Sequence, residues 1–424
     1  MAAADFTGGT PEADHLVVLV HGLWGNPSHM HNIAKALRAQ HPADKVHILV
    51  TERNAGSYTY DGIETGGERV CHEIEDEIAK IKSSGGNITK LSIAGYSLGG
   101  LVARYAVGLL YAKGDLNNLE CVNFCAFASP FLGVRSPVIG RLSQVWNLLG
   151  ARTLCRAGRQ LFGIDKFRDT GKPLVAVLAD PNSIFMSGLA KFKRRSLYAN
   201  IINDRSAVYY TTGIDKTDPF VDLSKVKVNY LEGYDPVILD TENPVAPAKS
   251  PELSAAPPTG ESVFVKWVKR TPLILGLSVL IPVGIFVFFV NAAVQTVRSS
   301  SRIKLHEGGK AGVKVDVYRK LSPWIKEMRE AVEDGLEDGM GGNNVAGQDY
   351  ISDDGKESPF PTLALAPYQF AAIDALDKLG WRKNLVWVHE ANHSHAAIVV
   401  RVDRDDWHEG RVVLKHWAES EFLP

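Results

Sequence analysis

The sequence has few cysteines, almost no net charge and no pattern typical of a secretory signal peptide. The 424-residue chain holds four cysteines, and their spacing matches neither a metal site nor a disulfide framework, so we expect buried thiols in a reducing compartment. These residues are Cys71, Cys121, Cys125 and Cys155. The formal net charge of −1 excludes a general attraction to nucleic acid. Residues 1–14 hold no basic region followed by an apolar run, so no secretory signal is expected there.

Long apolar runs are also scarce, with one exception at residues 273–290. These 18 consecutive positions carry no charge, and at ~1.5 Å per residue they would cross most of a ~30 Å hydrocarbon core. Elsewhere the apolar residues occur in short runs of strand length or with helical spacing. The remainder of the chain is therefore expected to form a globular α/β core.

A G-x-S-x-G pattern is centred on Ser97, within the stretch LSIAGYSLGG at residues 91–100. An apolar strand precedes it and a helical pattern follows it, which is the context of a nucleophile held on a tight strand-to-helix turn. Side chains at Gly95 and Gly99 would crowd the neighbouring strand and helix. The alternative is an ordinary glycine-rich turn in which the serine caps the helix.

An earlier strand at residues 15–20 leads directly into His21-Gly22, where an enzyme of this kind would place part of an oxyanion hole. Two backbone N–H groups are needed there, and we assign them to Leu23 and Leu98. His21 is expected to order the turn by hydrogen bonding and not to serve as the catalytic base.

Strands and helices alternate through the first half of the chain, which predicts a mainly parallel sheet covered on both faces. The expected strands are 15–20, 46–50, 89–94, 122–127, 197–202 and 385–388, and the expected helices are 30–40, 66–82, 101–111 and 368–379.

Residues 135–196 interrupt this alternation and are strongly basic. They hold 12 lysines and arginines against three aspartates, a net charge of +9. One interpretation is a set of helices over the sheet with solvated basic faces. The other is a cap over the active site that contacts an anionic lipid surface.

The catalytic acid should follow the nucleophile in chain order, at the end of a later strand. Asp204 has that position after the strand at 197–202, although it could also simply cap a turn. Nearby alternatives are Asp215, Asp218 and Asp222.

No histidine lies between His72 and His306, so a base that follows the acid must come from beyond the apolar run. The candidates are His306, His389, His393, His395, His408 and His416. His395 is favoured because it follows the strand at 385–388 and precedes small apolar residues. A metal site from His389, His393 and His395 would lack the spacing of a helical zinc motif, and none is expected.

The choice of His395 as the base limits how the apolar run at 273–290 can insert into a membrane. A single membrane crossing at 273–290 would separate Ser97 and Asp204 from every candidate base. Pro282 and Gly284 at its middle, and basic residues on both flanks, instead favour a re-entrant hairpin or shallow insertion, for which a lipid monolayer is suitable. The alternative is a single-pass anchor.

The domain organisation follows from these features. We expect a hydrolase core at 14–235 with its cap at 135–196, and a Pro-rich linker at 236–262. A membrane-associated hydrophobic segment at 263–304 and a flexible acidic linker at 305–361 come next. Residues 362–424 would complete the core and carry the catalytic histidine.

The motifs as a set resemble a known family. HGLWGN at 21–26, GYSLGGLVARY at 95–105, ASPFLGV at 128–134, residues 200–210 and NHSHAAIVVR at 392–401 together resemble the eukaryotic lipid-acting serine esterases, and among them the fungal lipid-droplet phospholipases. The resemblance implies an α/β-hydrolase fold, lipid ester hydrolysis and no metal or organic cofactor. It supports Ser97 directly, and Asp204 and His395 through shorter matches.

The expected function is a lipase or phospholipase type of serine acylhydrolase. It would act on phospholipids or acylglycerols at a lipid droplet or endoplasmic reticulum membrane, facing the cytosol, with the lipid surface contacted through 273–290 and the basic cap. The alternatives are a lipid acyltransferase or thioesterase, and a catalytically silent module that tethers proteins to lipid.

Overall fold

The computed structural model describes residues 6–135, 155–247, 290–313, 315–324 and 363–424. The apolar run at 273–290, except for Val290, lies outside these ranges, and so do 136–154 of the predicted cap and 325–361 of the predicted acidic linker. Within the described ranges, no helix is both long and apolar enough to cross a membrane.

Eight strands make up the β-structure of the described residues. In chain order they are His15–Val20 (β1), Val46–Val50 (β2), Lys90–Tyr96 (β3), Glu120–Phe127 (β4), Arg194–Asn200 (β5), Val226–Val228 (β6), Val245–Pro247 (β7) and Arg382–Val386 (β8). β6 and β7 pair antiparallel as a separate ribbon. The other six form one sheet in the order β2-β1-β3-β4-β5-β8, with every neighbouring pair parallel.

Helices connect these strands and cover both faces of the sheet. The described helices are His31–Gln40 (α1), Ile63–Ser83 (α2), Leu98–Lys113 (α3), Arg156–Leu161 (α4), Leu174–Leu178 (α5), Ile184–Ala190 (α6), Tyr209–Thr212 (α7), residues 290–307 (α8), Val315–Arg319 (α9), Pro367–Asp377 (α10), Ser394–Ala397 (α11) and His408–His416 (α12).

Strand β1 shows why the sheet is buried on both sides. All six of its residues are buried. Leu16, Val18 and Val20 point into the core under α2 and α3, whereas Val17 and Leu19 point into the core under α1 and α12. Successive side chains of a strand alternate between faces, so a continuous apolar run fits a sheet covered by two helical layers.

The strand order reverses at β1, because the chain passes from β1 to β2 on one side and then crosses to β3 on the other. In open α/β sheets, ligands bind outside the carboxyl ends of the strands at such a reversal. The ends of β1 and β3 therefore define where the site must lie.

The predicted strands at 15–20 and 46–50 are confirmed at both ends. β5 and β8 begin earlier than expected, at Arg194 and Arg382, because these polar residues are held by acceptors that the apolar pattern does not reveal. Arg194 donates to the backbone carbonyl of Ser420, and Arg382 pairs with Glu421.

The predicted linker at 236–262 is wrong in its first part. Val237, Ile238 and Leu239 are buried beside β8. Leu239 N donates to Leu385 O at 2.9 Å, and Trp387 N donates to Val237 O at 2.8 Å. The Pro-rich average composition concealed an apolar triplet that belongs to the core.

The predicted flexible linker at 305–361 is also wrong in its first part. α8 runs through residue 307, so the expected boundary after 304 cuts a helix. His306 is fully buried against α2, and Val315 and Tyr318 of α9 are buried as well. The acidic and glycine-rich composition used for the prediction comes mainly from residues further along the chain.

In the described part of the predicted cap, residues 155–196, four basic side chains pair with carboxylates of the same protein. Arg156 and Arg168 both contact Glu64, which is buried. The other two pairs are Lys172–Asp180 and Lys193–Glu120. These four charges are thus used within the fold.

Candidate active site

The turn between β3 and α3 holds Ser97 in a strained conformation. Its φ of 55° and ψ of −127° lie outside the ordinary regions for a residue with a side chain. A Cβ on Gly99 would lie 2.1 Å from Val20 O, and one on Gly22 would lie 2.7 Å from the Ser97 Cβ. The two glycines therefore allow the β1 turn to approach the serine closely.

His395 connects this serine to the predicted acid. Its Nε2 lies 2.9 Å from Ser97 Oγ, and its Nδ1 lies 2.8 Å from Asp204 Oδ2. With the proton on Nδ1, the ring donates to the carboxylate and accepts the serine hydroxyl through Nε2. The structure thus brings together the three side chains predicted as nucleophile, base and acid.

Asp204 is held by donors from its own loop as well as by the histidine. Asn200 Nδ2 donates to Oδ2 at 3.0 Å, and the backbone N–H groups of Ser206 and Ala207 donate to Oδ1 at 2.9 and 2.8 Å. The carboxylate is buried. A buried acceptor held by four donors has a fixed position and is well suited to orient an imidazole.

The three alternative aspartates have other partners. Asp215 accepts from Tyr209 and Thr217, Asp218 accepts from Phe220 N, and Asp222 accepts from Ser224. Burial raises the pKa of Asp218 to about 6.

Tyr96 and Ser394 support the histidine, and the sequence analysis missed both. Tyr96 Oη donates to the backbone carbonyl of His395 at 2.9 Å, with the two rings 5.3 Å apart. Ser394 Oγ donates to Ile202 O at 3.1 Å, at the end of β5. The position of Tyr96 immediately before the nucleophile was the available signal, but an aromatic residue in a buried strand is also ordinary core.

The two predicted oxyanion donors lie on the turns that follow β1 and β3. Leu98 is the first residue of α3, so its N–H has no acceptor within the helix. Neither this N–H nor that of Leu23 donates to any residue in the described part of the chain. Trp24, the next residue, has a φ of 55° and its N–H donates to Thr59 Oγ1 at 3.1 Å.

His21 has the turn-ordering contact that the sequence suggested. Its Nδ1 lies 3.1 Å from Gly22 O, and burial lowers its pKa. The ring is therefore a neutral donor within the turn.

The other candidate histidines bind elsewhere. His306 contacts Glu68, His389 contacts Glu409, His408 contacts Glu390 and His416 contacts Tyr198, while His393 is exposed. Over the ranges that the structure describes, no group of three or more His, Cys, Asp or Glu side chains could hold a metal ion.

Comparison with known proteins places these residues in a family context. A family model described as "Putative serine esterase (DUF676)" matches residues 10–217. "Putative lipase ROG1" of Saccharomyces cerevisiae is 31% identical over 241 residues, which cover 54% of this chain and 33% of that protein. "Putative lipase C4A8.10" of Schizosaccharomyces pombe is 27% identical over 241 residues, covering 55% and 29%. The chain spans about a third of the length of these relatives.

Solved structures that resemble the chain include "Phospholipase PlaB from Legionella pneumophila", with a TM-score of 0.29 and 13% identity over 46% of this chain and 40% of that one. At such a score the likeness carries no argument. The α/β-hydrolase fold follows from the parallel sheet order and from the nucleophile turn between β3 and α3. The model of the serine esterase family DUF676 thus matches the part of the chain that contains Ser97 and Asp204, in agreement with the resemblance seen in the motifs.

Proposed function

We propose that this protein is a serine acylhydrolase that cleaves carboxylic esters of lipids, either phospholipids or acylglycerols, at a membrane or lipid-droplet surface. The observation that carries the proposal is a chain of hydrogen bonds at the carboxyl edge of the sheet, which links Ser97 to His395 and His395 to Asp204. The match of residues 10–217 to a serine esterase family model supports an ester as the bond that is cleaved.

In the first half of the reaction, Ser97 Oγ attacks the ester carbonyl carbon while His395 Nε2 accepts the hydroxyl proton. The imidazolium that forms is stabilised by Asp204 through the bond at Nδ1. The proton then passes from Nε2 to the leaving alcohol or lysolipid as the bond from carbon to that oxygen breaks. The products are a free alcohol and an acyl ester on Ser97.

The negative charge that develops on the carbonyl oxygen requires fixed donors. The N–H groups of Leu23 and Leu98 are proposed for this role, because they follow the two strands that meet at the reversal of the sheet order. One such donor contributes roughly 3 kcal/mol to stabilisation of the transition state.

In the second half of the reaction, water takes the place of the alcohol. His395 Nε2 removes a proton from the water, which attacks the acyl carbon, and the proton then returns to Ser97 Oγ as the fatty acid leaves. The same histidine therefore acts twice as a base and twice as an acid.

Three observations support a lipid substrate and a cytosolic orientation. The relatives are named as lipases, the sequence contains the apolar run at 273–290, and all four cysteines are free and buried. We propose the lipid-droplet or endoplasmic reticulum surface as the location, with the catalytic core on the cytosolic side.

The test uses purified full-length protein and Ser97→Ala. A fluorophosphonate probe should label the wild type but not the variant, and only the wild type should release fatty acid from a panel of phospholipids and acylglycerols. Full activity in Ser97→Ala would refute the mechanism.

The products distinguish the neighbouring functions. Transfer of the acyl group to added glycerol or lysolipid in preference to water would indicate an acyltransferase, and preference for acyl thioesters would indicate a thioesterase. A Ser97 that reacts with no probe would indicate a tethering module.

A further inference from the structure

α8 has its polar side turned toward the protein. Ser299 and Arg302 both bind Asp61, which is fully buried, with Ser299 Oγ at 2.7 Å and Arg302 Nη2 at 2.8 Å from Oδ1. One turn later, His306 Nε2 lies 2.7 Å from Glu68 Oε2. Positions 299, 302 and 306 lie on one side of a helix, so this polar stripe is bonded to the core along its length.

The opposite side of α8 exposes four large apolar side chains, together with Ser301 in the same stripe and Arg298 and Lys304 at its edges. Val290, Val294, Val297 and Leu305 share one stripe at ~100° per residue, and all four are exposed, with Val297 at 67% of its full accessible surface. A helix on the surface of a water-soluble protein normally buries its apolar stripe and exposes its polar one. In α8, Ser299 and His306 are buried whereas these four apolar side chains are exposed.

The helix α8 lies beside the turn at 56–61, which in turn contacts the oxyanion turn. Asn291 of α8 lies near Tyr60, whose ring centroid lies 6.4 Å from that of Trp24. Arg302 lies over the ring of Tyr58, 4.9 Å from its centroid. Trp24 directly follows Leu23 and is 62% exposed, and Tyr58 is exposed as well.

We infer that these six apolar side chains form one lipid-docking rim that presents the active site to a lipid surface. The docking rim consists of Trp24, Tyr58, Val290, Val294, Val297 and Leu305. The inference deepens the proposed function and rests on it for the position of the active site. It assigns the surface of contact to described residues of the core and of α8.

A lipid surface fits the docking rim better than another protein does, for two reasons. In the sequence, α8 continues directly from the uncharged run at 273–290, which is itself suited to hydrocarbon. Trp24 and Tyr58 are the residue types that favour the boundary between headgroups and acyl chains. An interfacial helix of this kind would lie with its apolar stripe roughly 5–10 Å into that boundary.

The buried ion pairs give the docking rim a fixed orientation relative to the triad. Asp61 also pairs with Arg69 of α2 at 2.8 Å. It is the last residue of the helical turn at 56–61, in which Thr59 Oγ1 accepts a hydrogen bond from Trp24 N. Rotating the apolar stripe of α8 toward the protein would remove Arg302 from the buried Asp61 and His306 from the buried Glu68, which is unfavourable. A bilayer contacted by the rim would lie next to the oxyanion turn.

A fluorescent probe at Val297 tests the contact directly. Val297→Cys carries an environment-sensitive dye in the full-length protein, reconstituted into phosphatidylcholine–phosphatidylserine vesicles with or without nitroxide-labelled acyl chains. Selective labelling is feasible because the four native cysteines are buried. The matched control is Val221→Cys, at another exposed valine on a loop.

We expect acyl-chain nitroxides to quench roughly half or more of the emission at position 297 and little at 221. Equal, weak quenching at both positions would overturn the inference. So would loss of quenching at 297 together with a dimer in cross-linking, because the occupant would then be a second copy.

A charge at the same position tests the effect on turnover. Val297→Glu should lower hydrolysis of vesicle lipid about tenfold, because a carboxylate is disfavoured at the acyl boundary, and should leave hydrolysis of a water-soluble short-chain ester within about twofold. Val221→Glu should change neither rate. An equal loss on both substrates for Val297→Glu would contradict a docking role.

The inference and the proposed function can fail separately. The dye-labelled Val297→Cys protein is also prepared with Ser97→Ala, which removes the nucleophile. If the dye is quenched but the protein with Ser97 intact hydrolyses no ester, the docking rim is supported and the hydrolase is refuted. If that protein hydrolyses esters but the dye is not quenched, the hydrolase is supported and the docking rim is refuted.

Discussion

Two buried histidine–carboxylate pairs join the second half of this chain to the first, and only one of them forms part of the site. His395 Nδ1 lies 2.8 Å from Asp204 Oδ2, and His306 Nε2 lies 2.7 Å from Glu68 Oε2. All four side chains are buried. The pairs are therefore almost the same in distance and burial.

They differ in what surrounds them. The second nitrogen of His395 contacts Ser97 Oγ at the carboxyl edge of the sheet. The second nitrogen of His306 is buried without a hydrogen-bond partner among the described residues, and Glu68 is also bound by Arg319. A histidine–carboxylate pair thus contributes to chemistry or to packing according to the third group it meets.

The largest expected effect separates the two histidines. His395→Gln should lower kcat on a water-soluble ester by roughly 10⁵-fold, because neither Ser97 nor water can then be deprotonated. His306→Gln should leave kcat per folded molecule close to that of the wild type, and should lower the free energy of unfolding by about 3 kcal/mol, because Glu68 loses one of its partners.

Active-site titration with a fluorophosphonate and urea denaturation measure these two quantities. A His306→Gln protein that remained fully folded but lost its activity would remove the distinction between the pairs.

The sequence was sufficient to predict which three side chains meet at the candidate site, because each of them has a local position rule. Ser97 lies in a five-residue pattern between a strand and a helix, and Asp204 and His395 each follow a late strand in the required chain order. The strand order itself was not predicted, since parallel pairing is decided by contacts between distant segments.

The network under α8 could not be predicted in the same way. Asp61, Glu64 and Glu68 occur at helical spacing, which usually indicates a solvated face. Arg302, which pairs with Asp61, and Arg319, which pairs with Glu68, lie 241 and 251 residues further along the chain. Both are within segments that composition alone assigned to membrane and linker. Only the tertiary contacts show that these carboxylates are buried.

The second largest expected difference in kcat is between variants of Asp204 and Glu68, the carboxylates of the two pairs. Asp204→Asn should lower kcat by roughly 10⁴-fold with KM little changed, because the amide favours the wrong tautomer of His395. Glu68→Gln should reduce stability and leave kcat nearly unchanged. Steady-state kinetics on the two variants and on the wild type check both expectations, and similar rate losses for both acids would contradict the comparison.

The ion pairs that hold α8 should affect stability more than rate. Arg302→Gln leaves Asp61 with Arg69 and Ser299 alone, and should lower the free energy of unfolding by about 3 kcal/mol. The control is Arg404→Gln, which removes the exposed pair with Asp406 and should have little effect. Equal denaturation midpoints for the two variants would indicate that α8 is not clamped in solution.

The smallest expected effect concerns the Tyr96 hydroxyl, which donates to the backbone carbonyl of His395. Tyr96→Phe removes its bond to the His395 carbonyl and should cost about 1 kcal/mol of stability. Because the backbone that carries the imidazole is then less firmly placed, kcat should also fall, by about fivefold, with KM nearly unchanged.

Tyr198→Phe is the matched control for this change, since Tyr198 is equally buried in a neighbouring part of the sheet and its hydroxyl bonds to His416 Nδ1 at 2.8 Å. It should cost a similar amount of stability and leave kcat unchanged. If both variants lost the same fraction of kcat, the loss would reflect a general loosening of the sheet. A loss in Tyr96→Phe alone would show that its hydroxyl acts through the position of the base.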